Sequence, residues 1–352
     1  MNKEILKKLI LSLSPSGFED EAINIFDSEV SKIPGVRHYY RDKIGNSAWA
    51  IGEGSIKVLI SGHVDAISAR IQNITEDGIM SLVNVGGMDR KALIGSEVIV
   101  LGNKGPIKGV IEKIPIHIEY VYDDENDKIG PFSDLRLDIG AESKDQVLEQ
   151  GITPGCPIVH ARCFDLEFGP AQRVRGNELD DKLGVFTSIE TFRRLAEEGF
   201  PEKYTIICLA TTQEETGLRG STVATKNINP DISIDFDTLP ATDGDLDIKK
   251  DAHGDIKLGK GAVISWGPEK SARLCRALNE IANKNEIKVQ NETTSSGGTN
   301  TSRFQLFSDD CECALISFPL RNLHTPVETA DWKDIEGSIE LLTKTIQDGT
   351  IF

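Results

Sequence analysis

From residue 172 to the end of this 352-residue chain, apolar runs of strand length alternate with amphipathic runs of helix length. The pattern predicts a helix over 181–198 leading to a strand over 204–211, a helix over 218–227 leading to a strand over 232–236, and a helix over 268–284 leading to a strand over 287–290. A strand over 313–318 then precedes a helix over 332–346. Such alternation requires crossover connections, and crossovers put helices on both faces of a sheet whose strands run mainly in one direction. The expected fold is α/β, with a mixed, largely parallel sheet sandwiched by helices.

The first part of the chain belongs to the same layer system. Ile5, Leu6, Ile10 and Leu13 recur at helical spacing, a second helical pattern covers 18–31, and short β patterns follow at 36–40, 48–51 and 57–60. Between residues 69 and 171 the texture changes to short β-branched runs broken by Gly and Pro (97–101, 109–111, 135–139, 157–160), with one helical stretch at 144–150. We read this as a small β domain inserted into the other. The expected domains are a discontinuous one, 1–68 with 172–352, and an insert, 69–171.

Composition narrows the functions. The chain carries 39 Lys+Arg against 56 Asp+Glu, a net charge of −17, and so has no basic stripe to attract a phosphate backbone. No nucleic-acid partner is expected. No run approaches the roughly 18 apolar residues of a membrane span, and Lys7 and Lys8 break the apolar start, so neither a membrane partner nor export is expected. Cys156, Cys163, Cys208, Cys275, Cys311 and Cys313 lack zinc-finger spacing and read as mostly buried thiols of a reducing, cytoplasmic compartment, with no pairing expected of Cys311 and Cys313.

In open α/β sheets, sites form at the carboxyl ends of strands. Five expected loops of that kind carry an acid or a histidine: His63 with Asp65, Asp180 with Asp181, Glu214 with Glu215, Asp237, and His324. Each alone reads as a cap, a helix-start acid or a satisfied core histidine. Together they would gather several carboxylates in one crevice, which like-charge repulsion forbids without cations. Imidazole and carboxylate ligands without thiolate suit Zn, Co or Mn, and five ligands serve two ions if one carboxylate bridges them. A hydrolytic pair also needs an unbound carboxylate as general base, a division of labour that adjacent Glu214 and Glu215 can supply.

The motifs SGHVDA (61–66), NELDDKLG (177–184), TTQEETGLRGS (211–221), the run from Asn229 to Asp237, SSGGTN (295–300) and RNLHTPVE (321–328) resemble, in order and spacing, those of the tetrahedral aminopeptidases. That family includes glutamyl and deblocking aminopeptidases, some described as endoglucanases. The segments VGGMDRKALIGSEVIVLG (85–102), GVIEKIPIH (109–117) and LDIGAESKDQ (137–146) resemble its inserted domain.

The resemblance implies a zinc-peptidase-like catalytic domain and a β-barrel or PDZ-like insert for oligomerisation and access control. It implies a hydrolase that removes N-terminal residues from short peptides through a water bridging two divalent metals, Zn or Co, with Mn as an alternative. His63, Asp180 and Asp237 would hold one metal, and Asp180, Glu215 and His324 the other, with Asp237 preferred over Asp235 by its count from the Asn229 run. Glu214 would be the base and Asp65 the carboxylate that orients His63. Homo-oligomers from dimers to dodecamers are implied as well.

The sequence departs from the family where glutamate usually follows the aspartate of the histidine motif, here Ala66, and where aspartate usually closes the Gly-Gly-Thr motif, here Asn300. Both remove a carboxylate while sparing the expected ligands and base. Two other functions remain open on the sequence: a different amide hydrolase, such as a deacylase or carboxypeptidase-like enzyme, or a weakened member acting as a binding or assembly protein. A glycosidase ranks last, because the carboxylates it needs would already hold metal. Arg219 and Arg321 read as ion-pair partners, Gly297 and Gly298 as a turn, and His117, His160 and His253 as surface or core histidines.

Overall fold

The computed structural model describes residues 1–119, 130–244, 246, 248–293 and 298–350. Its elements in chain order begin with α1 (Lys3–Leu11), α2 (Asp20–Val30), β1 (Arg37–Arg41), β2 (Ser47–Ile51) and β3 (Ile56–His63). There follow β4 (Ser68–Ile74), β5 (Met80–Val85), α3 (Arg90–Leu93), β6 (Glu97–Gly102), β7 (Gly105–Ile111), α4 (Ile116–Glu119), β8 (Arg136–Asp138), α5 (Lys144–Glu149) and β9 (Pro157–His160). Next come β10 (Phe164–Phe168), β11 (Arg173–Gly176), α6 (Leu179–Glu198), β12 (Tyr204–Thr211), α7 (Arg219–Ile228), β13 (Ile232–Pro240) and α8 (Lys250–His253). The chain closes with β14 (Ala262–Trp266), α9 (Ala272–Lys284), β15 (Val289–Thr293), α10 (Asn300–Phe307), β16 (Glu312–Leu320), β17 (Glu328–Ala330) and α11 (Trp332–Asp348). Among the described residues, no helix is long and apolar enough to cross a membrane.

Two compact units result. One comprises Met1–Asp65, Phe164–Leu323 and Val327–Phe352, and the other Ala66–Cys163 with His324–Pro326.

The first unit is built on an eight-stranded sheet in the order β1-β2-β12-β3-β13-β16-β14-β15. Its centre, β12-β3-β13-β16, is parallel, and antiparallel pairing enters at β1-β2-β12 on one side and at β16-β14 on the other. Every residue of β12 is buried, the signature of a strand covered on both faces. From Leu179 to Phe192, α6 is buried all round and packs on β3, β12 and β13. Its polar residues are buried with it: Thr187, Ser188 and Thr191 are small enough to fit the close approach, while Lys182 and Glu190 lie in ion pairs with Glu178 and Arg193. A separate three-stranded sheet, β10-β11-β17, is tied to the end of β16 by a bridge between Arg321 and Thr329 of β17.

The second unit is a closed barrel, β4-β5-β8-β7-β6-β9. It has its own core, including Ile71, Met80, Leu82, Val98, Val100, Leu137 and Ile158. Closure leaves no unpaired strand edge, which suits a domain of short strands.

Candidate metal centre

Strand register brings the first group of site residues together. In the parallel pairs, His63 at the end of β3 lies level with Thr211 at the end of β12, and Ser61 lies level with Asp235 of β13. Two residues further along β13, Asp237 is therefore level with His63, and it shares a face with Asp235 because strand side chains alternate. The loop after Thr211 delivers Glu214 and Glu215 to the same end. Asp180 enters by a different route from the strand-end rule: it follows β11 of the small sheet, so one of the five expected strand ends lies outside the large sheet. Glu328 of β17 holds it there, accepting the Asp180 N–H at 3.2 Å.

The start of α6 is not regular helix. Glu178 is left-handed (φ 62°), and Asp180 (φ −78°, ψ 110°) and Asp181 (φ −115°, ψ 42°) depart from helical dihedrals across a cis peptide bond. Two glycines permit the close packing that follows. A Cβ on Gly62 would meet backbone atoms of Gly184 and Val185 at 2.6 Å, and one on Gly184 would meet the Asp181 carboxylate at 2.2 Å. Into that space Asp181 sends its carboxylate, accepting the N–H of His63 at 3.1 Å and that of Gly184 at 2.9 Å. Asp181 thus ties helix to strand, a role the sequence did not assign beyond a site acid.

His63, Asp180 and Asp237, all buried, each place one donor atom within 4.8 Å of the others. His63 Nε2 lies 3.3 Å from Asp180 Oδ1 and 3.9 Å from Glu214 Oε2. Asp180 and Glu215 also present oxygens within 4.8 Å of each other. On the other side of the ring, His63 Nδ1 is 3.0 Å from the Asp65 carbonyl oxygen and 3.4 Å from its carboxylate. The nearer partner of the imidazole is the backbone of Asp65. Its carboxylate is spent chiefly elsewhere, accepting the Ser16 hydroxyl at 2.7 Å and the N–H groups of Glu214 at 2.8 Å and Glu215 at 3.2 Å.

The electrostatics are those of a cluster short of positive charge. Burial pushes Glu214 well above the ordinary glutamate range; His63 opposes this, while Asp237, Glu215 and Asp65 add to it. Burial pushes Asp181 and Asp235 up as well; His63 opposes this for both, and neighbouring carboxylates add to it. Burial disfavours charge on His63, but its bonds to Asp180 and Asp65 and the field of Glu214 raise it well above 6.5. Asp65 is the exception: despite burial, His63, Ser16 and the Glu214 N–H hold its carboxyl low. A divalent cation would supply the missing charge, and the hard oxygen and imidazole donors suit one.

Other expected residues fall as follows. His324 is grouped with the barrel unit, where its Nδ1 is 3.0 Å from the Gly87 carbonyl oxygen. A Cβ on Gly87 would stand 2.7 Å from that nitrogen, so the glycine makes room for the ring. Asp235 receives the Ser61 hydroxyl at 2.5 Å and is not part of the three-residue group. Arg321 pairs with Asp243 through two bonds of 2.9 and 2.8 Å, while Arg219 is exposed. His160 is buried, His117 and His253 are exposed, and Ala66 and Asn300 are buried. Asn300 donates its amide to the Thr211 hydroxyl at 3.0 Å. Cys311 and Cys313, for which no pairing was expected, place their sulfurs 3.6 Å apart. Ser295, Ser296 and Gly297 of the SSGGTN motif, and Asp245 and Asp247 of the acidic run after Asp243, lie outside the described residues.

Two contributors escaped the sequence reading. Glu328 is the last residue of the quoted RNLHTPVE motif and could have been suspected from it. Glu19, whose Oε1 accepts the Gln213 N–H at 3.2 Å, had no such signal, since an acid at a helix start reads as a cap.

A family model, the M42 glutamyl aminopeptidases, matches residues 45–341. The chain belongs to the M42 family. It is 30% identical to the lysyl aminopeptidase of Pyrococcus furiosus, over 98% of this chain and 96% of that protein. The structure of a TET aminopeptidase from a marine sediment archaeon of the Thaumarchaeota superposes with a TM-score of 0.90 at 29% identity, covering 98% of this chain and 95% of that one. Another, the TET1 peptidase of Pyrococcus horikoshii, described as assembling into a tetrahedron or a large octahedral shell, gives 0.85 at 31% identity, covering 98% of each chain. Membership in M42 makes this chain a metal-dependent peptide-bond hydrolase of the aminopeptidase type. The α/β sheet with an inserted closed barrel is the fold of these M42 relatives.

Proposed function

We propose that the chain is a dinuclear aminopeptidase that removes N-terminal residues from short peptides. The observation that carries this is the meeting of His63, Asp180 and Asp237 within 4.8 Å, with the Glu214 carboxylate 3.9 Å from His63 Nε2. His63, Asp180 and Asp237 would hold one divalent cation, and Asp180, Glu215 and His324 a second, with Asp180 serving both. The bond from His324 Nδ1 to Gly87 supports this by favouring the tautomer whose Nε2 carries the lone pair. Bound Zn or Co, or alternatively Mn, would lower the pKa of a coordinated water and polarise the scissile carbonyl. Glu214 takes the proton from the attacking water and delivers it to the leaving amine, a task suited to a carboxylate whose proton affinity burial has raised. Asp65 fixes the His63 ring through its backbone carbonyl and carboxylate.

The barrel unit serves assembly and access to the site, and the chain forms homo-oligomers from dimers up to dodecamers. The described assembly of the Pyrococcus horikoshii relative supports this. A cytoplasmic location is supported by the six cysteines, none of them in a disulfide.

The test is a panel of aminoacyl-anilides with free and acylated N-termini, assayed after loading with Zn, Co or Mn. Free N-termini are hydrolysed, chelation abolishes turnover, and Glu214→Gln lowers kcat by ~10²–10⁴-fold while metal content holds. Preference for acylated substrates would make the protein a deacylase, and full activity in Glu214→Gln would remove Glu214 as the base. Solution mass measurement tests the assembly, which a monomer would overturn.

A further inference from the structure

Glu19 lies at the start of α2, where an acid ordinarily caps its own helix, yet its side chain makes no capping bond there. Instead, buried at 5% exposure, it turns away, and Oε1 accepts the Gly17 N–H at 2.7 Å and the Gln213 N–H at 3.2 Å. Gln213 is a left-handed non-glycine residue (φ 54°), a conformation that persists where its surroundings hold it. The next two N–H groups, of Glu214 and Glu215, both go to the Asp65 carboxylate. Two carboxylates from distant parts of the chain thus take up three consecutive backbone N–H groups of one turn. The segment before α2 is itself anchored: the Ser14 hydroxyl donates to the Val64 carbonyl and the Ser16 hydroxyl to Asp65, each at 2.7 Å.

We propose that Glu19 is a positioning residue: with Asp65 it clamps the Gln213–Glu214–Glu215 backbone and so sets where the Glu214 carboxylate stands. This rests on the assignment of Glu214 as base. A turn held by N–H groups alone leaves both glutamate side chains available for chemistry. It also makes the clamp sensitive to the reach of residue 19 rather than to its charge. Glutamine keeps the accepting oxygen at the same distance, whereas aspartate, one methylene shorter, cannot span Gly17 and Gln213 together.

The test uses the full-length, metal-loaded protein and its Glu19→Ala, Glu19→Asp and Glu19→Gln variants, read by amide hydrogen exchange and by steady-state kinetics on an aminoacyl-anilide. In the Ala and Asp variants the peptide holding Gln213–Glu215 exchanges faster, and kcat falls ~10–100-fold at unchanged KM, the range typical of lost supporting contacts, while Gln stays within ~2-fold of wild type. If Glu19→Ala does not fold, the Asp and Gln pair decides. Unchanged exchange at this peptide in the shortened variants would overturn the proposal, as would a Gln variant as impaired as Asp. If wild type turned over no anilide while exchange behaved as expected, the aminopeptidase assignment would fall and the clamp would stand.

Discussion

Asp65 accepts the backbone N–H of Glu214 at 2.8 Å. The residue expected to orient a histidine therefore also fixes the turn that carries the proposed base. The ring is met first by the Asp65 backbone carbonyl and the turn by its buried carboxylate, which His63, Ser16 and that same N–H hold low. Asp65→Asn keeps one accepting oxygen but presents an amide to the Ser16 hydroxyl or a backbone N–H. It is expected to fold, to lose ~10–100-fold in kcat/KM and to bind metal more weakly, as checked by steady-state kinetics and metal titration.

Asp235 and Asp237 share a face of β13 but differ in what they meet. Asp235 is bonded to Ser61 and pushed toward its neutral form by burial, so asparagine is nearly isosteric and keeps the accepting oxygen. Asp235→Asn is expected to keep its metal content and lose no more than ~1 kcal/mol of stability. Asp237→Asn should weaken metal binding by more than the ~100-fold that marks loss of an outer partner. Metal analysis after gel filtration of both variants separates them.

Lys182 is fully buried directly after the Asp180–Asp181 pair. Its ammonium reaches the Leu9 carbonyl at 3.3 Å, the Ser12 hydroxyl at 3.2 Å, the Ser14 hydroxyl, and the Glu178 carboxylate at 3.5 Å. Lys182→Met fills the space but leaves the Glu178 charge and these acceptors without their cation. A loss of ~3–5 kcal/mol is expected, measured by urea unfolding.

Stability should also carry a pH signature from Asp334, which accepts the N–H groups of Gly259 and Gly261 at 2.7 Å each. Burial raises its pKa from 3.8 to about 7, against the lowering effect of those two bonds. Between these values the folded chain holds a proton that the unfolded chain has lost, so stability is greatest at the acid end and falls as pH rises through 7. The slope from this group is at most ~1.4 kcal/mol per pH unit. Melting temperatures from pH 5 to 8 should show wild type losing ground against Asp334→Asn; a difference that does not change with pH would refute the assignment.

Much of the fold is legible in the sequence. The strand expected at 204–211 is the β12 observed, and the break in pattern at the β-rich stretch matches a barrel with its own core. Boundaries moved where tertiary contacts extend or trim an element. The strand expected at 232–236 runs on to Pro240 because β16 pairs with it to Leu320, and the helix expected from 268 starts at Ala272, capped by Ser271.

By itself, the sequence determined the layers, the insert and which acids and histidines to watch, because hydrophobic periodicity and motif order are local properties. Only the tertiary structure decided how those residues meet. Parallel register set Asp237 rather than Asp235 level with His63, the contacts of Gly62 and Gly184 let Asp181 bind helix to strand, and Glu19 crossed nearly two hundred residues of sequence to reach Gln213. Such contacts join segments remote in the chain through single hydrogen bonds, and a hydrogen bond has no period for a sequence to display.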